Sequence, residues 1–346
     1  MDFQEQYAAL LRSDPAYEGR FFVGVKTTGV FCRPTCRARK PNAVNCEFYP
    51  SAEEAQAAGY RACKLCHPLD GAEPVPAMIA ELLRDTDSRP GVPIRDEELR
   101  RRGLDPDTVR RWFKRHHGLT FQSYQRGRRL GRALGRLNEG RSVIAAAQDA
   151  GFDSLSGFVD AFKKQFGGPP ALASARVLWV TRLSTPLGMM AAGAVDGRLC
   201  WLEFADRPRL DDELLDLEKR LGAKAVPGTD VVLTELSQQL ERYFAGTLRA
   251  FDLPLELSGT AFQREIWSTL LTIPYAQTRT YGQQAALSRP GAVRAVGTAN
   301  GANRIAIVVP CHRIVASDGT LAGYRGGLWR KRWLLDHEAR RGESDV

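Results

Sequence analysis

The sequence predicts a multidomain α/β protein of the α+β kind. Three observations predict this class. Two close pairs of cysteines lie near the N-terminus, two helix-turn-helix patterns occupy the middle, and the C-terminal half mixes strand-like and helical segments around an isolated cysteine. Because 346 residues exceed what one hydrophobic core usually holds, we expect a small four-cysteine domain, an all-α domain and an α/β domain.

The composition is that of a soluble protein, with 43% hydrophobic and 26% charged residues. No apolar run reaches the roughly 18 residues of a membrane span, so we expect no membrane contact. The N-terminal stretch MDFQEQYAALLRSDP has early acidic residues and lacks the order of a signal peptide. We therefore expect a cytoplasmic protein, whose seven cysteines are metal ligands or nucleophiles more often than disulfides.

The net charge of +9 is concentrated in two segments. Residues 97–141 hold thirteen Lys/Arg against five Asp/Glu, and residues 20–66 hold eight against three. The rest of the chain is acidic on balance. Such clustering indicates a polyanionic partner, nucleic acid first, although a solvated basic surface without a partner gives the same composition.

The N-terminal cysteines have the spacing of a zinc site. Cys32-x3-Cys36 and Cys63-x2-Cys66 form two half-sites for one tetrahedral Zn²⁺, whereas Cys46 breaks the pairing and is predicted to be a bystander. Such a site can be purely structural. Four thiolates around Zn²⁺ carry a net −2, and a methyl on one sulfur would make it −1. At about 5 Å and an effective dielectric near 20, that charge is worth roughly 3 kcal/mol of DNA affinity.

Residues 97–166 contain two helix-turn-helix patterns. In the first, PDTVRRWFKRHH starts a helix with Pro106 and carries an apolar stripe of Val109, Trp112 and Phe113. Its other faces are basic and suit DNA: Arg110, Arg111, Lys114 and Arg115. In the second, SLSGFVDAFKKQF places an apolar stripe on one side: Leu155, Phe158, Val159, Phe162 and Phe166. We expect the apolar stripes to pack in the core, so only the basic faces of these helices indicate DNA binding.

This region, over about 95–170, resembles the tandem helix-turn-helix domain of AraC-type transcription regulators. The resemblance implies an all-α DNA-binding domain. Gly127, Gly131 and Gly135 lie inside the helix that links the two units, and each lowers helix propensity by roughly 1 kcal/mol relative to Ala.

The isolated cysteine lies in VVPCHRIV. RIAIVVP is predicted to be a buried strand that ends at Pro310. No second cysteine is near Cys311, so a metal is not expected there. His312 follows it, but neighbouring side chains on an extended backbone point apart, so a buried thiol and a nucleophile both stay open. Upstream helices, one capped by Thr280 and one after Pro290, again form a helix-turn-helix, which suggests chemistry on a flipped-out base.

Residues 21–66, from FFVGVKTTGVFCRPTC to GYRACKLC, resemble the zinc domain of the Ada family of bacterial methylation-response regulators. The resemblance implies that Cys32 accepts a methyl group from a DNA methylphosphotriester. Cys36, Cys63 and Cys66 would complete the zinc site. The implied DNA contacts are Thr28, Arg37, Arg39 and Arg61.

Residues 176–340 resemble the O6-alkylguanine-DNA alkyltransferases, whose signature is VVPCHRIV. The resemblance implies that Cys311 accepts the methyl group, that His312 draws the thiol proton through a water molecule, and that Glu338 orients His312. The resemblance also implies that Asn303 braces the active-site turn. It implies that Tyr281 presses on the DNA backbone and protonates the leaving base. Arg294 would fill the emptied base stack, and Tyr324 would cover the guanine. Arg304 stands where many relatives have proline, and we expect little effect of this difference.

Together these resemblances predict four parts: a zinc domain over 1–75, a helix-turn-helix domain over 76–172, an alkyltransferase support subdomain over 176–256, and a winged-helix-like catalytic subdomain over 257–346. Linker-like sequence occupies 67–77, 85–96 and 167–175.

The predicted function is irreversible, single-turnover removal of methyl groups from DNA. Methylation of Cys32 would then switch on DNA binding and transcription of alkylation-response genes. The predicted partners are double-stranded DNA, both alkylated and promoter, and RNA polymerase, with the protein acting as a monomer. One alternative is an AraC-type regulator with a structural zinc and an inert third domain. Another is a Cys-His hydrolase, for which neither an oxyanion hole nor a third triad member is recognisable.

Overall fold

A computed structural model describes residues 1–14, 17, 20–66, 68, 76–89, 91–172 and 175–342. Among these residues, no helix is both long and apolar enough to cross a membrane. Residues 67, 69–75 and 173–174, which belong to two of the predicted linkers, lie outside the described part. The third predicted linker begins too early, because a helix continues to Ser88.

The N-terminal unit is a four-stranded sheet with two helices. Its elements are α1 (Phe3–Arg12), β1 (Phe22–Val25), β2 (Val30–Cys32), β3 (Cys46–Tyr49), α2 (Ala52–Ala57) and β4 (Arg61–Ala62). The strand order is β3-β1-β2-β4. Strand β4 pairs in parallel with β2, with Phe31 opposite Ala62. Since Cys32 and Cys63 are the next residues, this register brings the two cysteine pairs together.

The middle unit is all helical, as predicted. Its helices are α3 (Ala77–Ser88), α4 (Asp96–Arg101), α5 (Pro106–His117), α6 (Phe121–Asn138), α7 (Val143–Asp149) and α8 (Leu155–Phe166). Asp105 caps α5 and Ser154 caps α8 by accepting backbone N–H groups. Phe113 and Phe158 are fully buried, whereas Leu155, predicted in the inner stripe, is 45% exposed. It is the first residue of α8 and extends beyond the packed face.

Helix α6 packs against the first sheet of the C-terminal half, and its glycines permit the contact. A Cβ atom on Gly131 would lie 2.6 Å from Val226 Cγ2, and one on Gly127 would lie 2.6 Å from Pro227 Cγ. Gly135 has no such neighbour within 4 Å. Two of the three residues that weaken α6 as an isolated helix therefore allow it to approach a neighbouring layer closely.

That sheet belongs to the first part of the C-terminal half. Its elements are β5 (Arg176–Thr185), β6 (Gly188–Val195), β7 (Arg198–Phe204), α9 (Leu210–Leu221), β8 (Ala223–Pro227) and α10 (Val231–Phe244). The strand order is β7-β6-β5-β8, with β8 parallel to β5. Asp196 and Gly197, both at positive φ, form the hairpin turn between β6 and β7. Cys200 is a buried core residue.

The remaining elements are α11 (Ala261–Leu271), β9 (Arg279–Thr280), α12 (Tyr281–Ala286), α13 (Val293–Gly301), β10 (Ile314–Val315) and α14 (Leu328–Gly342). Thr280 caps α12, as predicted, and the structure shows that this cap is a full capping box. The predicted strand over RIAIVVP is wrong. Residues 304–309 form irregular turns in which Ile307 has φ +70°. Hydrogen bonds between Leu202 and the backbone of Arg304 and Ala306 fasten this turn to β7.

Candidate functional site

Four sulfur atoms meet at one edge of the N-terminal sheet. Cys32 ends β2, Cys36 follows in the next turn, and Cys63 and Cys66 follow β4. The four Sγ atoms lie within 4.8 Å of one another, and three of the four residues are buried. Zn–S bonds of about 2.3 Å in a tetrahedron place sulfurs about 3.8 Å apart. The donor set and its spacing therefore fit one Zn²⁺.

The surroundings of these sulfurs also fit a metal site. The backbone N–H of Arg33 donates to Cys66 Sγ, and that of Leu65 donates to Cys63 Sγ, both at 3.4 Å. Hydrogen bonding with Cys36 and Cys66, together with burial, raises the pKa of Cys32 far above its ordinary value. Four thiols this close cannot all ionise without a cation to neutralise them. Buried Cys46 instead faces the carbonyl of Asn42 and lies outside the group.

The predicted DNA contacts of this unit are all exposed. Thr28 lies in the turn between β1 and β2, Arg61 begins β4, and Arg37 and Arg39 follow the second cysteine. On the helical unit, Arg110, Arg111 and Lys114 are exposed on α5. Arg294 is exposed on α13. Exposed guanidinium, ammonium and hydroxyl groups are the donors that bind phosphate oxygens, although Arg110 is paired with Asp107 and Arg111 donates to Thr108 in this structure.

Cys311 begins a short 3₁₀ turn, Cys311–Arg313, directly after Pro310. The expectation of an extended backbone is therefore wrong at this point, and so is the argument that the neighbouring side chains must point apart. The thiol is partly exposed and lines a cavity of about 250 Å³. Asn303 Nδ2 lies 3.2 Å from Cys311 Sγ and 2.9 Å from the carbonyl of Val309, while its Oδ1 accepts from the N–H of Ile305 at 3.0 Å. Asn303 thus holds the turn and touches the sulfur.

His312 is completely buried next to the thiol. Its Nε2 lies 2.9 Å from Glu338 Oε1, and its Nδ1 is buried without a hydrogen-bond partner. Burial lowers the pKa of His312 despite the bond to Glu338, so the ring is neutral near pH 7. Since an ionised carboxylate can only accept, Nε2 carries the proton and Nδ1 keeps its lone pair. The ring is therefore a base with an unused acceptor, which suits a bridging water.

Glu338 is held by a set of donors that the sequence did not suggest. Arg313 Nε and Nη2 donate at 2.9 and 3.0 Å, Tyr243 Oη donates at 2.7 Å, and the N–H of Ala276 donates at 3.1 Å. Burial disfavours the charge, but hydrogen bonds from His312 and Arg313 hold the pKa of Glu338 below its usual range. Arg313 stands in the signature and could have been singled out. Tyr243, 95 residues from Glu338, carried no signal.

The electrostatics around Cys311 keep the thiol protonated until it reacts. Burial raises its pKa, and the hydrogen bond from Asn303 and the charge of Lys331 only partly oppose this. Burial lowers the pKa of Lys331 to about 8, and its Nζ donates to the carbonyl of Ala322 at 2.6 Å. A reaction at this sulfur therefore needs a proton acceptor, and His312 is adjacent.

Two tyrosines form other walls of the cavity. Tyr281 Oη donates to the carbonyl of Ala322 at 3.1 Å. Tyr324 lies on the loop before α14, and its hydroxyl is buried without a hydrogen-bond partner. The structure thus places Asn303, Tyr281 and Tyr324 around the cavity that Cys311 lines, and their roles stay predictions.

Comparison with known proteins decides the family. The chain is 36% identical over 354 residues to the Escherichia coli bifunctional transcriptional activator/DNA repair enzyme Ada, covering 97% of this chain and 96% of that one. The chain belongs to the Ada family. The Salmonella typhimurium regulatory protein Ada is 32% identical, covering 95% of each chain.

Family models match each part of this Ada-family chain. They are the metal binding domain of Ada over 5–69, a helix-turn-helix domain over 99–175, and the ribonuclease-like and DNA binding domains of 6-O-methylguanine DNA methyltransferase over 181–257 and 261–340. A crystal structure of the Mycobacterium tuberculosis alkyltransferase OGT in complex with DNA is 39% identical, covering 47% of this chain and 94% of that one, with a TM-score of 0.41. The four-cysteine cluster is thus the zinc site of an Ada-type domain.

Proposed function

We propose that this Ada-family protein repairs DNA by two irreversible methyl transfers, from O6-methylguanine to Cys311 and from methylphosphotriesters to Cys32. The observation that carries the proposal is that Cys311 lines a cavity and is followed in the same 3₁₀ turn by His312, whose buried ring is bonded to the carboxylate of Glu338. A thiol followed by a base that a third group orients is the arrangement of an activated nucleophile.

At Cys311 the proposed step is a displacement at the methyl carbon. His312 Nδ1 takes the thiol proton through a water molecule, and Glu338 stabilises the imidazolium that forms. The S–C bond forms while the C–O6 bond breaks, and the electron pair of that bond stays on guanine. Guanine then takes up one proton, which Tyr281 is placed to relay. The thioether product is a poor leaving group, so each protein molecule reacts once.

At Cys32 the sulfur attacks the methyl carbon of a phosphotriester. The S–C bond forms, the C–O bond breaks, and the phosphate regains its negative charge. Zinc, when bound, keeps the four sulfurs ionised at neutral pH. Arg33 and Leu65 orient two of those sulfurs through their N–H groups, and Thr28, Arg37, Arg39 and Arg61 bind the flanking phosphates.

Methylation of Cys32 removes one negative charge beside a DNA-facing surface. We propose that this raises affinity for promoter DNA, which α5 contacts through Arg110, Arg111 and Lys114, and that the bound protein contacts RNA polymerase and activates transcription. Both acceptor cysteines have their partners within one chain, which supports a monomer.

Intact mass after incubation with methylated DNA tests the proposal. Wild-type protein should gain about 14 Da at each acceptor. Duplex carrying O6-methylguanine should modify Cys311 and not Cys311→Ala, and duplex carrying methylphosphotriesters should modify Cys32 and not Cys32→Ala. Cys200→Ala is the matched control, because it removes a buried cysteine that has no proposed role in either transfer. An unchanged mass with both duplexes would favour a regulator with an inert third domain.

A further inference from the structure

A buried group of charges connects α9 to the pocket around Cys311. Glu213, in the first turn of α9, meets three arginines. Its Oε2 lies 3.0 Å from Arg325 Nη2 and 3.3 Å from Arg207 Nη1, and its Oε1 lies 3.9 Å from Arg304 Nη1. The Glu213 side chain is only 5% exposed. We call Glu213 and its three arginines the Glu213 cluster.

The members of the Glu213 cluster come from the segments that shape the pocket. Arg325 directly follows Tyr324 on the loop before α14 and itself lines the cavity. Arg304 directly follows Asn303, and its Nη2 also lies 2.5 Å from Asp216 Oδ2 on α9. These contacts join residues 88 and 112 positions apart in the chain, so no sequence pattern predicts them.

The arginines of this region are paired with carboxylates. Arg207 also contacts Glu203, a β7 residue whose side chain is 2% exposed and lines the same cavity. Burial lowers the pKa of Arg207, and the charge of Arg325 adds to this effect. Asp216, the closest carboxylate to Arg304, also pairs with Arg220. Ion pairs with so little exposure fix geometry, because leaving one partner unpaired is costly.

We infer that Glu213 is a positioning residue that sets the width of the base pocket. The inference rests on the proposed function and deepens it. Through Arg325, the Glu213 carboxylate fixes the loop that carries Tyr324. Arg304, directly after Asn303, donates to the backbone carbonyl of Glu213 and to Asp216, so the same part of α9 holds the turn that carries Asn303. Tyr324 and Asn303 both line the cavity that Cys311 lines. The support subdomain, which contributes no reacting group, thereby decides how large an alkyl group fits beside the sulfur.

A pocket held narrow favours methyl over bulkier groups. A small carbon has to be held in line with Sγ and O6, and a displacement of about 1 Å can slow such a reaction up to 100-fold. A bulky, flat group such as benzyl fills more of the pocket and orients itself by its own contacts. Loosening the walls should therefore slow methyl transfer more than benzyl transfer.

The test compares two duplexes of one sequence, one with a single O6-methylguanine and one with a single O6-benzylguanine. Glu213→Gln should lower the second-order rate constant for methyl transfer about tenfold and that for benzyl transfer less than about twofold. Arg325→Met, at a more exposed position, should shift the methyl-to-benzyl ratio in the same direction. Affinity for undamaged duplex should not change, because the basic DNA-facing residues are untouched.

Asp212→Asn is the matched control, since Asp212 is an exposed neighbour in α9 that pairs with exposed Arg209. Its methyl-to-benzyl ratio should equal that of wild type. End-point transfer counts the reactive molecules, so partial unfolding lowers the amplitude and leaves the ratio alone. Equal ratios in wild type, Glu213→Gln and Arg325→Met would overturn the inference while the repair function stands. A wild type that reacts with neither duplex would overturn both.

Discussion

The two acceptor cysteines solve the same chemical problem in opposite ways. Cys32 lies among three other thiols from a 35-residue stretch of chain, and Zn²⁺ held by these four sulfurs would keep it ionised. Cys311 lies alone, burial raises its pKa, and a base removes its proton only when it reacts. The first design depends on close spacing along the chain. The second depends on groups from distant segments meeting at one buried carboxylate.

The difference follows from the targets. A methylphosphotriester is exposed on the DNA surface, and its neutral charge lets it approach an anionic cluster. O6-methylguanine lies inside the base stack and has to enter a pocket, where a permanent thiolate would be strongly desolvated. A protonated thiol with an adjacent base avoids that cost. The predictions below test this contrast.

Removing the metal should have the largest effect, because it should abolish methyl transfer to Cys32 and leave transfer to Cys311 unchanged. Structural zinc sites bind with apparent free energies of about 10–16 kcal/mol that are also folding free energy. A chelator should therefore unfold the N-terminal unit and abolish transfer from methylphosphotriesters, while transfer to Cys311 continues. Intact mass and zinc content, measured on the same sample, check this. Continued triester transfer by zinc-free protein would show that the metal is not what ionises Cys32.

Glu338→Gln should have the next largest effect, and only at Cys311. An amide can donate to His312 Nε2, which favours the tautomer with a protonated Nδ1, and it leaves the Arg313 guanidinium without its carboxylate partner, although Arg313 Nη1 still donates to the carbonyl of Ile273. We expect methyl transfer from O6-methylguanine to slow by about 100- to 10,000-fold, and the free energy of unfolding of this domain to fall by about 3–5 kcal/mol. Single-turnover kinetics and denaturant unfolding measure the two effects.

Glu241→Gln, on the exposed face of α10, is the control and should change neither quantity. Transfer to Cys32 should stay at the wild-type rate in Glu338→Gln. A Glu338→Gln variant that reacts at the wild-type rate would remove the proton relay from the mechanism.

The pH dependence of transfer to Cys311 should show which group takes the proton. Because burial lowers the pKa of His312 from its ordinary value, its ring is neutral at pH 7, and the rate should be nearly constant from about pH 7 to 8. Above that, Lys331, with a pKa of about 8, loses the charge that favours the thiolate, so the rate should not rise.

In His312→Ala the thiol has to ionise without a base. Its rate should be low and should rise about tenfold per pH unit below the thiol pKa. Transfer assays quenched at successive times, at each pH in this range, measure the rate profiles of both proteins. A tenfold rise per unit in the wild-type protein would mean that hydroxide, and not His312, removes the proton.

Tyr243→Phe should have the smallest effect. It removes one of several donors to Glu338, the hydroxyl at 2.7 Å, and leaves Arg313 and His312 in place. A hydrogen bond to a charged group contributes about 1.5–3 kcal/mol to stability. Only the fraction of that energy that keeps His312 oriented affects the rate of methyl transfer, so we expect that rate to fall about fivefold. Phe244→Leu, the neighbouring partly buried aromatic, serves as the control for packing. No loss would show that Arg313 and the N–H of Ala276 orient the carboxylate without the help of Tyr243.

The sequence by itself determined which four cysteines meet at the zinc site, and it predicted Cys32 and Cys311 as the two acceptors. Those features are local: cysteine spacing, a helix cap such as Thr280, and a signature of eight residues. Periodicity likewise located α5 and α8. It failed at RIAIVVP, where apolar composition suggested a strand. Hydrogen bonds to β7 and Asn303 hold that segment in a turn with Ile307 at positive φ, a tertiary effect that overrides β propensity.

Only the tertiary structure decided which groups surround Cys311 and hold Glu338 in place. Tyr243, Arg313 and Ala276 reach Glu338 from three separate segments, and the Glu213 cluster joins α9 to the pocket. Gly127 and Gly131, which as sequence only weaken a helix, permit α6 to lie against β5 and β8. The physical reason is the same in each case. Burial and hydrogen bonding between segments far apart in the chain depend on how those segments pack, and spacing along the sequence records none of it.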